Sequence, residues 1–281
     1  MVTVRVLGSY GTESVEAMLR QMFDAEEKSI AFVEDPEAVP DVMIVTAMLA
    51  YPNCFGNSYL KLQDSMLEQM DKVLENGGRA VVNSVYRFLC LRERNHPNFV
   101  EFEAEKDPIQ TLRPGTRAQE AALAAKLAAQ PYLKEETIDR VIEKFQGIPG
   151  HFYLVAERKG VWYFDNSTAS ILSHTAMSLL TFEGPITLIT GGDMDPEHPF
   201  PFGGIALMVV SYVDNVILYG NSADELENQA IQALKPRKSH TFIFWAESME
   251  EASPWRQRRH RKAPHVCFPP RCRLRREKVL D

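Results

Sequence analysis

The sequence is poor in cysteine, in long apolar runs and in cationic surplus, and each shortage removes a class of protein. Four cysteines in 281 residues, Cys54, Cys90, Cys267 and Cys272, have neither the density of a disulfide framework nor a zinc-ligand spacing. They read as free thiols in a reducing cytoplasm, and no metal site is expected. No apolar run approaches the length of a membrane-crossing helix. The first residues lack the basic and apolar regions of a secretion signal, so a cytoplasmic location is expected. The formal net charge is −7, a poor match for a phosphate backbone.

That charge is uneven. The stretch 253–281 carries ten Lys/Arg and two acids, leaving 21 and 36 for the rest, so a tail of +8 follows a body of −15. Nucleic acid is therefore an unlikely partner except through the tail. Three readings of 253–281 stay open: a basic arm, a solvated tail, or a change of reading frame, since the shift to Arg-rich composition is abrupt.

The remaining 252 residues are those of an α/β chain. Thr3 to Leu7 reads as a strand, followed by Gly8-Ser9-Tyr10-Gly11 and an amphipathic helix over 14–23. Residues 30–33, 41–48 and 79–85 read as further strands, the second buried on both faces. A helix over 57–74, with Leu60, Leu67, Met70 and Val73 on its apolar face, ends at Gly77-Gly78. Strands separated by helix-length segments imply a mostly parallel sheet. Two helices follow, over 116–130 and 134–145, and then a turn at Gln146 to Gly150. A hairpin joins 151–157 to 161–164, after which helices over 170–181, 203–212 and 222–234 alternate with strands over 186–190, 215–219 and 240–245. Leu207, Met208 and Val210 read as core.

Two stretches carry a resemblance. Phe145-Gln146-Gly147-Ile148-Pro149-Gly150-His151-Phe152 leads into Gly160-Val161-Trp162-Tyr163-Phe164-Asp165-Asn166-Ser167-Thr168-Ala169-Ser170, and later comes Pro185-Ile186-Thr187-Leu188-Ile189-Thr190-Gly191-Gly192-Asp193. These are similar to the segments that open and continue the C-terminal domain of Mur ligases, the ATP-dependent amide ligases of peptidoglycan synthesis. Their order and spacing suit the D-glutamate-adding branch. The resemblance implies a shortened P-loop-type parallel-sheet domain over 1–150, a small Rossmann-like domain over 151–252, and a basic tail over 253–281.

It also implies ATP and magnesium as cofactors, and a nucleotide or a partner ligase as binding partner. Gly8, Ser9, Gly11, Thr12, His151, Asp165, Asn166 and Ser167 fall at nucleotide positions, and Gly191 and Gly192 at substrate positions. The family's catalytic side chains are largely missing. Thr12 stands for the phosphate-binding lysine and Glu13 for the magnesium-binding hydroxyl. Gly115-Thr116-Arg117-Ala118 lacks the family's His and Asn, and Asp193 stands where a lysine is expected. Residues 23–41 are too few for the family's intervening strands. Read without the resemblance, the Gly8 to Gly11 turn is a structural strand-to-helix connection, and Asp165 to Ser167 is a helix N-cap cluster. The expectation is a ligase-related protein impaired in catalysis on its own. The alternatives are a binding paralogue and a truncated or frameshifted product.

Overall fold

The computed structural model describes residues 1–8, 11–46, 57–86, 90, 95–168, 175, 178–179, 181–182, 185–192, 212–220, 222–224, 227–228 and 241–252, the side chains of 57–63 and 250 excepted. Ser9, Asp193, Leu207, Met208, Val210, the side chain of Leu60, most of the three late helices and the tail 253–281 lie outside them. Contacts divide the chain into two compact units, Met1–Pro149 and a second beginning at Gly150.

The first unit is a five-stranded sheet of β1 (Val2–Leu7), β2 (Ile30–Phe32), β3 (Val42–Val45), β4 (Arg79–Asn83) and β5 (Phe99–Phe102). Its order is β2-β1-β3-β4-β5, with every pairing parallel. The chain winds outward in opposite directions from β1 and β3, so a topological switch point lies at their C-terminal ends. The strand alternation sorts two cores. Val42, Ile44 and Val81 face one layer, while Met43, Val45, Ala80 and Val82 face the other.

Helix α1 (Thr12–Asp24) covers the first face with Val15, Met18, Leu19, Met22 and Phe23, an i, i+3, i+4 stripe. Beside it lies α3 (Thr116–Ala129), whose seven buried alanines allow close approach on several sides. Helix α4 (Glu135–Lys144) adds Ile138 and Ile142 to the same core. The opposite face takes α2 (Asn57–Glu75) through Met66, Met70 and Val73. Gly77 and Gly78 end α2 for a steric reason. Gly77 has φ 76, and a Cβ on Gly78 would lie 2.8 Å from Val73 Cγ1 and 2.9 Å from the Asp41 carbonyl oxygen.

The second unit opens with an antiparallel hairpin of β6 (Tyr153–Arg158) and β7 (Val161–Asp165). Lys159 and Gly160 both have positive φ, 54 and 77, as a two-residue turn matched to strand twist requires. A parallel sheet follows, β10-β9-β8, from β8 (Thr187–Gly191), β9 (Asn215–Tyr219) and β10 (Phe242–Ala246), with a short helix α5 (Met249–Ala252) after it. Ile217 is fully buried at its centre. The α/β reading is that of the structure.

Candidate functional site

The C-terminal edge of the first sheet gathers polar groups. One residue beyond the last paired positions of β1 and β3, Thr46 donates its backbone N–H and its hydroxyl to the Leu7 carbonyl, at 2.8 and 3.2 Å. By register and alternation, Gly8, Thr46, Asn83 and Phe102 form a row across the sheet that faces α1 and α3. Thr46 is 4% exposed and Asn83 is 3% exposed. Two polar side chains at that depth need partners. Asn83 Oδ1 accepts the Val85 N–H at 3.0 Å, which fixes which way the amide points. Its Nδ2 has no acceptor within hydrogen-bond distance.

Helices α1 and α3 pack on this face, and each begins at a glycine. Gly11 caps α1 from a left-handed conformation, φ 80, with no side-chain cap. Gly115 caps α3 at φ 93, also with none. The start of α1 lies against the second turn of α3, where a Cβ on Gly11 would sit 3.9 Å from Ala121 Cβ. A helix N-terminus carries partial positive charge, which favours an anion.

The charged side chains there oppose a polyanion. Thr12 begins α1 and offers no cation, and Glu13 lies exposed in the first turn. Burial pushes the Glu16 carboxyl up; Arg20 pulls it down, and the neighbouring carboxylates of Glu13 and Glu34 raise it further. Magnesium-bound triphosphate does not fit these residues: the cation and the hydroxyl that would hold it are absent, and an acid stands in the first turn.

In the second unit, the predicted residues around 150 and 166 do come together. Asp165 Oδ1 accepts the Ser167 N–H at 3.0 Å, a local turn-forming bond. Asn166 reaches further along the chain. Its Oδ1 accepts the Phe152 N–H at 3.1 Å and its Nδ2 donates to Ser178 Oγ at 3.3 Å. The Asn166 side chain thus ties two distant segments, while the helix expected over 170–181 lies largely outside the described residues. Thr168 donates its N–H and hydroxyl to the Gly150 carbonyl, at 3.1 and 2.7 Å. His151 is exposed beside this knot.

Gly191 and Gly192 end β8 where the chain crosses the turn after β9. A Cβ on Gly191 would lie 2.0 Å from the Tyr219 carbonyl oxygen, and one on Gly220 would lie 2.5 Å from the Gly192 oxygen. Gly192 N–H donates to the Tyr219 carbonyl at 3.0 Å, and Ser222 Oγ donates to the Gly192 carbonyl at 2.9 Å. Close backbone approach accounts for Gly191, and a backbone φ of 119 for Gly192.

No protein-family model matches the chain. Among curated proteins it is 28% identical to a UDP-N-acetylmuramoylalanine–D-glutamate ligase of Ruminiclostridium cellulolyticum over 58% of this chain and 33% of the relative. It is 29% identical to the Clostridium perfringens ligase of the same name, over 49% of this chain and 29% of that one. Among solved structures it resembles a UDP-N-acetylmuramate–alanine ligase from Thermotoga maritima. That match has a TM-score of 0.57 and 13% identity, covering 87% of this chain and 66% of that one. The chain is Mur-ligase-like. A pseudomurein peptide ligase type C from Methanothermus fervidus shares the fold too, with TM-score 0.54, 12% identity and coverage of 89% and 68%. At such identities the structural matches speak for fold alone. The sequence matches reach about a third of the length of the curated ligases, so the Mur-ligase-like part has to be read on its own residues.

Sequence reasoning passed over Asn83, taking it as the interior of a strand over 79–85. The signal was available: in Ala80-Val81-Val82-Asn83 an amide follows a buried apolar run on the α1-facing register.

Proposed function

We propose that this chain derives from the D-glutamate-adding amide ligases of peptidoglycan synthesis and does not complete the ligation on its own. The observation that carries the reading is the start of α1, where Gly11 caps the helix with no side-chain help and Thr12-Glu13 open it, at positions the resemblance gives to phosphate binding. Repulsion from Glu13 and the missing lysine remove the two charge terms that hold a β/γ-phosphate pair. ATP and magnesium are thus family cofactors that this chain has lost the means to grip. The site residues at issue are Gly8, Ser9, Gly11 and Thr12 in the first unit, and His151, Asp165, Asn166 and Ser167 in the second. The domain boundary falls at about Gly150, and the protein acts in the cytoplasm.

The test is calorimetric titration of the full chain with Mg-ATP. The expected Kd is above about 1 mM, less than about 4 kcal/mol of affinity. Micromolar binding would overturn the reading.

A second reading, a binding protein that keeps the fold and serves a nucleotide or a partner ligase, is favoured by one observation. Both α1 and α3 begin at a glycine with no side-chain cap bond.

A further inference from the structure

We draw no further inference here: the strongest candidate, the apolar edge of the second sheet along β10, where Phe242 stands 59% exposed, carries nothing, because no described residue shows what covers it.

Discussion

Phe152 donates its backbone N–H to Asn166 Oδ1 at 3.1 Å from a left-handed conformation, φ 51, that an aromatic residue rarely adopts. Its ring lies stacked on Phe164 at a 4.7 Å centroid distance and tilted against Phe182 at 5.6 Å. The hydrogen bond and the stacking together hold a conformation that costs about 1–2 kcal/mol per residue when unsupported.

Replacing Asn166 by Leu should therefore destabilise the second unit by about 2–3 kcal/mol, since it leaves the Phe152 N–H and Ser178 without that partner. Asn166→Asp keeps the acceptor and should cost less. All three tryptophans, Trp162, Trp245 and Trp255, follow Gly150, so urea unfolding followed by tryptophan fluorescence reports on this unit alone. A leucine variant as stable as the parent would remove the side chain's structural role.

The crossing of β8 and the turn after β9 gives a steeper case. Gly191→Ala places a Cβ 2.0 Å from the Tyr219 oxygen at a backbone φ of 141. The strand ends must part, and a loss of about 3–4 kcal/mol in the same fluorescence assay is expected. Gly160→Ala is the control: its Cβ meets nothing within 4 Å, so only its φ of 77 is strained.

Acid should separate the parent from a variant at Glu26. Its carboxylate accepts the Lys134 N–H at 2.8 Å and pairs with Lys28 at 3.0 Å, and these bonds hold its pKa down at about 2. The folded value lies below the ordinary 4.5. The stabilisation is therefore fully present above that ordinary value and is lost as pH falls through about 2. Glu26→Gln should unfold at lower urea than the parent at pH 7. The gap should narrow as pH falls below the ordinary value and close near the lower one. A gap independent of pH would show that the contact, not the charge, stabilises the connection between α3 and α4.

Restoring charge to the turn should restore affinity. The double change Thr12→Lys with Glu13→Ser brings back a cation and a hydroxyl at the start of α1, and should tighten Mg-ATP about tenfold or more in calorimetry, roughly 1.4 kcal/mol. No gain would mean that the backbone there is no longer a phosphate cradle.

Most of the fold could be read along the chain. Val42–Val45 announced itself by four buried apolar residues, and Asn215–Tyr219 was bounded as observed. Phe99–Phe102 was missed: at four residues with Glu101 inside, an edge strand has too little alternation to stand out, and its pairing with β4 supplies what its sequence does not. The candidate site was half legible. The glycines and the Thr12-Glu13 substitution are sequence features. Whether Asn83 has a partner depends on Val85 closing back on it and on which helices cover its face, and those are tertiary facts.

Arg5 stands on β1 at 4% exposure, donating to the carbonyls of Val33, Asp35 and Ala38 and, at 2.7 Å, to Gln69 Oε1. Three of its four acceptors belong to the short connection between β2 and β3. A longer connection on another path would carry those carbonyls away and leave a guanidinium dehydrated beside the sheet, a penalty of several kcal/mol. The brevity of this connection and the arginine are thus interlocked like a pawl and its wheel. An insertion there should be tolerated only together with replacement of Arg5 by an apolar residue.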